Sequence, residues 1–141
     1  MPLELEEYPV SEIEATQWDG LLDRVDSPSP FLRHAWLRLI AAAFPAWRVR
    51  IVLLSDSGSL AGGFACVDRD DNLCRQSHAL PWGTPSGLVL VNPSDRTAAD
   101  RLVEKWSARL NGCHRPYRLA MTFSEARPAG LASFEKQGFQ P

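Results

Sequence analysis

The spacing of apolar residues changes several times along the chain, and these changes predict its elements. Residues 3–10 alternate weakly, which is typical of a first strand. Two helical faces follow, each with apolar residues at positions i, i+3, i+4 and i+7. The first face comprises Trp18, Leu21, Leu22 and Val25, after a capping box at Thr16 and Asp19. The second face comprises Trp36, Leu39, Ile40 and Ala43, and Pro45 ends that helix.

The spacing then falls to two residues and predicts an antiparallel meander of three strands. The first strand buries Val49, Ile51 and Leu53 and places Arg48 and Arg50 on its other face. Residues 60–67 are apolar or small on both faces, as in a buried central strand. Glycines 62 and 63 within it indicate the close approach of another backbone or a ligand. A turn over residues 68–72 leads into a third strand at residues 73–80.

The rest of the chain predicts a helix that crosses over between strands. An irregular loop at residues 81–87 and a short strand at 88–91 come first, and Asn92 is the expected helix N-cap. Gly112 ends that helix, a half-buried strand covers residues 117–123, and a last helix runs from about Pro128 to Gly138. The crossover helix buries Ala99, Leu102, Val103, Trp106 and Leu110. This order predicts an α/β or α+β domain.

Composition and charge exclude several classes of protein. The 141 residues are the size of one domain, and a net charge of -2 gives no bulk attraction to DNA. The longest apolar run, Leu39 to Phe44, is too short to span a membrane. Three cysteines at wide spacings and three scattered histidines form no metal motif, and free thiols fit a cytoplasmic location. The aspartates of the 68–72 turn lack the spacing of a calcium loop.

Several segments together resemble the GNAT-like fold. They are Ser29-Pro30-Phe31 with Trp36, the meander from Val49 to Val67, the Pro81-Trp82-Gly83-Thr84 loop, and the helix with its Gly-Phe ending at residues 134–139. More narrowly, they resemble the first of the two GNAT-like halves of FemAB-type peptidoglycan-bridge aminoacyltransferases. The resemblance implies a central mixed sheet flanked by helices that stops before the last strands. It also implies that residues 1–141 are one domain, the N-terminal half of a two-half protein.

The resemblance implies cytoplasmic N-acyl transfer, with an amino acid passing from aminoacyl-tRNA to an amine of a cell-wall precursor. In that family a basic residue on the second helix faces the precursor's phosphates, and Arg38 is the matching candidate here. The expected partner is a second GNAT-like half or a second copy of the chain. Two alternatives stay open: a non-catalytic GNAT-like module that binds or dimerises, and an ordinary acetyl-CoA-dependent acetyltransferase.

No cofactor site is expected. The stretch Arg127–Ala132 matches the pyrophosphate loop of acetyltransferases letter by letter, but it precedes the last helix rather than the earlier one. Pro128 also removes an amide donor that the phosphate grip would use. Residues 87–99, where the family motif belongs, contain Gly87 as their one glycine. We therefore expect no bound coenzyme A.

The loop at residues 81–87 is the expected substrate-binding segment, because loops at sheet edges carry sites. Its candidates for substrate contact are Trp82, Gly83, Thr84 and Ser86. The alternative is a surface connector whose tryptophan covers the edge of the core. His78, just before the loop, is the candidate for acid–base catalysis, with a hydrogen-bonded strand histidine as the alternative. No catalytic residue is assigned. The other tryptophans are expected in the core: Trp18, Trp36, Trp47 and Trp106.

Overall fold

A computed structural model describes residues 2–70, 73–83, 86–110, 117–122 and 130–140 of the chain. Within these ranges it has six strands, four α-helices and four short 3-10 turns. The strands are β1 (Leu3–Pro9), β2 (Arg48–Asp56), β3 (Ser59–Asp70), β4 (Arg75–His78), β5 (Val89–Leu90) and β6 (Tyr117–Ala120). The helices are α1 (Ala15–Leu22), α2 (His34–Ala43), α3 (Arg96–Ser107) and α4 (Leu131–Lys136).

All six strands belong to one mixed sheet. Five follow the order β1-β2-β3-β4-β6, and β5 pairs with β3 off this path. The neighbours from β1 to β4 are antiparallel, whereas β4 and β6 run parallel. A parallel pair needs a long crossover connection, and α3 lies within the segment that joins β4 to β6. The predicted α/β class with a central mixed sheet is therefore confirmed.

The two faces of the sheet carry separate cores. Alternate residues of β2 and β3 point to opposite faces, as the strand period requires. The face that we call the α1/α2 face buries Ile51, Leu53 and Val67 against Trp18, Leu37 and Ile40. The opposite one, the α3/α4 face, buries Val52, Leu54 and Phe64 against Leu102, Trp106 and Phe134. A central strand that is apolar on both faces follows from this arrangement, as the sequence predicted.

Some local predictions about the helices of the α1/α2 face are wrong. The capping box does not form, because α1 begins at Ala15 and Asp19 Oδ1 instead accepts from the backbone N–H of His34 at 2.9 Å. That bond ties α1 to the start of α2. On α2 the buried residues are Leu37 and Ile40, while Leu39 is 56% exposed. The buried face is therefore shifted from the predicted one. Trp36 and Trp47 are partly buried and pack against the core of this face, as predicted.

The central glycines meet a neighbouring backbone, as predicted. A Cβ placed on Gly62 would lie 2.5 Å from the carbonyl oxygen of Val89, and one on Gly63 would overlap the carbonyl oxygen of Val52. The predicted cap at Asn92 is wrong, because α3 starts three residues later with Asp95 as its N-cap. The predicted boundaries at Gly112, Phe123 and Pro128 lie outside the described residues. None of the described helices is long and apolar enough to cross a membrane.

Candidate functional site

The strand that follows β3 in the sheet is interrupted. His78 of β4 pairs with Val67, and Val89 of β5 pairs with Gly63. Gly63 and Val67 are four residues apart on β3, whereas their partners His78 and Val89 are eleven residues apart. The segment between His78 and Val89 therefore has seven extra residues, which leave the sheet. We call residues 79–88 the excursion. It contains every candidate that the sequence placed in the substrate-binding loop.

Trp82 lies at the tip of a helical turn, Pro81–Gly83, in the excursion. Its φ of 59° is left-handed, a conformation that costs a non-glycine residue about 1–3 kcal/mol. The ring centroid of Trp82 lies 5.3 Å from that of Phe44 and 5.6 Å from that of Trp47. The side chain is nevertheless 61% exposed. Trp82 therefore packs at the surface with Phe44 and Trp47, and we call these three residues the aromatic cluster.

Ser86, at the other end of the excursion, lines a cavity of about 720 Å³. The cavity lies between the α1–α2 connection, β5 and the first turns of α3 and α4. Ser86 Oγ is buried and has no hydrogen-bond partner within the described ranges. Its backbone N–H donates to the carbonyl of Thr122 at 2.8 Å, which ties the excursion to the chain beyond β6. Trp82 and Gly83 do not line this cavity, and Thr84 is outside the described residues.

The charged lining of the cavity is mainly acidic. Among the described residues, Asp26, Asp95 and Glu135 line it, against one guanidinium from Arg96. The rest of the wall is largely serine and apolar residues, among them Ser27, Ser94, Leu88 and Leu131. Like charges disfavour a ligand with several negative groups, whereas a neutral or amine-bearing ligand suits such a wall.

The start of α3 is already capped by the chain itself. Asp95 Oδ1 accepts from the N–H of Ala98 at 3.0 Å, and Asn92 Oδ1 accepts from the N–H of Ser94 at 3.0 Å. The N–H of Asp95 donates to the carbonyl of Asn92 at 3.0 Å, and Pro93 has no N–H. Free amides at a helix start are what attracts a phosphate. Here a carboxylate occupies that position instead, which disfavours a pyrophosphate.

His78 ends β4 on the α1/α2 face, beside the excursion. Its Nε2 lies 2.9 Å from Gln76 Oε1, and an amide oxygen can only accept. The neutral ring therefore carries its proton on Nε2 and keeps a lone pair on Nδ1. Burial lowers the pKa of His78 from its usual 6.5, and the charges of Arg118 and Arg69 lower this pKa further. His78 is thus a hydrogen-bonded strand histidine that is also held in the form of a base.

Arg38 does not belong to the same cavity. It is exposed on α2 and lines a separate pocket of about 490 Å³ beside Trp47, Arg48 and Arg50. The side chain of Arg50 pairs with Glu7 at 3.2 Å on the α3/α4 face of the sheet. The sequence candidates therefore fall in three places: Ser86 in the large cavity, Trp82 in the aromatic cluster, and Arg38 in a basic pocket near β1.

Two arginines beside His78 were not among the sequence candidates. Arg69 of β3 pairs in register with Gln76 of β4, which pairs in turn with Arg118 of β6. Residues in register share a face, so these three form a row across the α1/α2 face. Arg69 and Arg118 have no carboxylate partner among the described residues. The sequence did not predict this row because its pattern indicated a turn at residue 69.

Comparison with known proteins bears on the fold alone. No family model and no curated protein sequence matches the chain. A ribosomal-protein-alanine N-acetyltransferase from Brucella melitensis is a similar solved structure, with a TM-score of 0.62 and 10% identity over 99% of this chain and 93% of that one. A glucosamine-6-phosphate N-acetyltransferase from Arabidopsis thaliana has a TM-score of 0.54 and 12% identity over 100% and 93% of the two chains.

A third similar structure is a predicted acetyltransferase from Clostridium acetobutylicum, solved with acetyl-CoA. It has a TM-score of 0.51 and 12% identity, over 99% of this chain and 91% of that chain. These likenesses extend over nearly the whole of each chain. The protein therefore has the GNAT fold of N-acetyltransferases.

Proposed function

We propose that this chain is an N-acyltransferase domain whose acyl donor is not acetyl-CoA. The observation that carries the proposal is the capped start of α3, where the Asp95 carboxylate accepts from the N–H of Ala98 and the Asn92 side chain accepts from that of Ser94. The acidic cavity beside it adds to the same argument. A GNAT fold that disfavours the coenzyme fits the FemAB type of transfer, in which an aminoacyl ester is the donor.

In that reaction the acceptor is an amine of a cell-envelope precursor. The amine nitrogen attacks the ester carbonyl of the donor, a C–N bond forms, and the C–O bond to the departing hydroxyl breaks. The nitrogen loses one proton to His78 Nδ1, and the departing oxygen takes up one proton from the same ring or from water. The lowered pKa of His78 keeps its ring neutral at pH 7, as a general base requires. Most of the rate then comes from holding amine and ester together.

The proposal extends to domain organisation and to the predicted binding residues. Residues 1–141 act as the N-terminal half of a two-half protein, and a second GNAT-like half or a second copy completes the site. Arg38 binds phosphate of the precursor in its basic pocket, and Trp82, Gly83, Thr84 and Ser86 contact substrate along the excursion. The transfer takes place in the cytoplasm, where the aminoacyl-tRNA donor is available.

The first experiment is a thermal shift with acetyl-CoA. A ligand at about 100 times its dissociation constant stabilises the folded state by about 2.7 kcal/mol, which is a clear rise in melting temperature. We expect no rise for the wild-type chain. The matched variant Asp95→Ser keeps an oxygen cap on the N–H of Ala98 and removes the negative charge. It therefore separates repulsion of the pyrophosphate by the carboxylate from occupation of that N–H by the cap. A rise with wild type favours the acetyl-CoA-dependent alternative, which the fold also accommodates.

A turnover assay tests the domain organisation. The isolated 141-residue chain is expected to transfer nothing from an aminoacyl or an acetyl donor to an amine acceptor. Adding a second GNAT-like half from the same reading frame is expected to restore transfer, and His78→Gln to abolish it. Turnover by the chain alone, as a monomer in light scattering, contradicts the two-half arrangement.

A further inference from the structure

We infer that the row formed by Arg69, Gln76 and Arg118 binds a carboxylate that the acceptor substrate carries near its amine. That the ligand is the acceptor of the transfer rests on the proposed function. The carboxylate-binding site itself does not depend on that proposal. It is separate from the large cavity and from the pocket of Arg38, since none of the three residues lines either one.

The charges of the row are available for a ligand. Arg118 is exposed and Arg69 partly exposed, and neither has a carboxylate partner within the described ranges. Adjacent strands lie about 4.8 Å apart, so the backbones of β3 and β6 are about 10 Å apart across β4. Two guanidinium groups on side chains of this length can converge on one carboxylate between them. Guanidinium forks suit that planar group, and two of them fix its orientation.

The amine of the same ligand would lie next to the base. His78 follows Gln76 by two residues on β4, about 7 Å along the strand and on the same face. The lone pair of the His78 ring lies on Nδ1 because Nε2 donates to Gln76. A molecule whose carboxylate and amine are separated by one to a few bonds reaches both groups. The row therefore selects for an amine with a nearby carboxylate, as in an amino acid or an amino-acid residue of a larger acceptor.

The aromatic cluster supplies an apolar wall beside the row. The guanidinium carbon of Arg69 lies 5.4 Å from the centroid of the Trp47 ring, and the ring centroid of Trp82 lies 5.6 Å from that of Trp47. Trp82 stays mostly exposed in a strained backbone conformation, which is commoner at ligand sites than elsewhere. A ligand that combines a carboxylate with an apolar body matches both features.

Three small probes separate these contributions. Phenylalanine has the amine, the carboxylate and the ring; 3-phenylpropionate lacks the amine, and phenethylamine lacks the carboxylate. Binding to the wild-type chain is followed by NMR through the indole signals of Trp82 and Trp47. We expect phenylalanine and 3-phenylpropionate to bind and to shift these signals, and phenethylamine to bind at least about tenfold more weakly.

Variants then locate the carboxylate. Arg69→Gln keeps a stem on Trp47 and removes the charge, and Arg118→Gln does the same on β6. Each is expected to weaken phenylpropionate binding about tenfold. Arg75→Gln is the matched control, since it removes a guanidinium from the same strand end on the opposite face, and it should change binding less than about twofold. Melting temperatures confirm that all three variants are folded.

The outcomes keep the two proposals apart. Equal binding of phenethylamine and phenylpropionate, or equal binding by wild type and both glutamine variants, overturns the carboxylate site whatever the transfer assay shows. Carboxylate binding that depends on Arg69 and Arg118 supports the site even where no acyl transfer is found. In that case the proposed function fails and the carboxylate site remains.

Discussion

At one end of the sheet, the arginines on one face have acid partners, whereas those described on the other face have none. On the α3/α4 face every arginine of the β2–β4 end has an acid: Arg48 and Arg75 pair with Asp70 at 3.3 and 3.0 Å. Arg109, after α3, bonds to both Glu7 and Asp68. On the α1/α2 face the equivalent row holds Arg69 and Arg118 with no acid within the described ranges. The same strands therefore carry a closed ionic network on one face and open cations on the other.

The ion pairs on the α3/α4 face stabilise the fold, whereas the arginines on the α1/α2 face can bind a ligand. Arg109 is a largely buried cation whose donors are satisfied by two carboxylates, and removing it leaves Asp68 and Glu7 with less compensating charge. Two neighbouring cations repel each other, and after burial, the main cause, their charges further lower the pKa of His78. Such an arrangement costs some stability, which a bound anion would recover. We therefore expect mutations on the first face to change stability and mutations on the second to change binding.

The largest effect is expected for Arg109→Ala. The side chain of Arg109 is 12% exposed and bonds to Asp68 at 3.3 Å as well as to Glu7, and burial lowers its pKa to about 10. It is still charged at neutral pH. Its removal leaves two partly buried carboxylates close together, so we expect a loss of about 3 kcal/mol in the free energy of unfolding. Urea denaturation measures it.

Arg118→Ala is the control from the other face. It removes an exposed cation that has no acid partner in the part of the chain that the structure describes, and its effect on the free energy of unfolding should stay within about 0.5 kcal/mol. The contrast between the faces is refuted by equal losses for the two variants, or by a loss below about 1 kcal/mol for Arg109→Ala.

The sequence predicted much of the sheet because the alternation of β2 and β3 is unambiguous. It placed Arg48 and Arg50 opposite Val49 and Ile51, and the structure agrees. It did not predict that β3 continues to Asp70. Charged and polar residues after Val67 look like a turn in the sequence, but cross-strand ion pairs support them as strand. Such pairs are set by residues far apart in the chain and leave no local pattern.

The interrupted strand marks the limit of prediction for the site. A loop at residues 81–87 was expected, but the excursion of residues 79–88, with its seven extra residues relative to β3, depends on register alone. Trp82 was expected to contact substrate, yet it packs with Phe44 and Trp47, which precede β2, and does not line the large cavity. The cap of α3 shows a local competition, since Asn92 and Asp95 are both good caps and only the fold decides between them.

A smaller effect is expected at Trp82, where the open face carries backbone strain. Trp82→Ala loses the ring contacts with Phe44 and Trp47 and keeps the left-handed conformation. Trp82→Gly loses the same contacts but relieves the conformation. We expect the glycine variant to be more stable than the alanine variant by about 1 kcal/mol in thermal or urea unfolding. Equal stabilities would mean that the turn relaxes freely and that no strain is stored on this face.

The smallest effect is expected from the titration of His78, and it tests the open row directly. Burial is the main cause of its lowered pKa, followed by the charges of Arg118 on β6 and Arg69 on β3. Because the folded value lies below the unfolded one, the stability contribution is complete above pH 6.5 and is lost as the pH falls through the folded pKa. Arg69→Gln and Arg118→Gln should each raise the pKa of His78, measured by NMR on the ring Cε1–H. They should also reduce the loss of unfolding free energy between about pH 7.5 and 5.5. Arg75→Gln, on the opposite face, should leave that pKa closer to the wild-type value. A pKa that stays fixed in both row variants would show that burial alone sets it, and that the two guanidinium groups do not converge on the base.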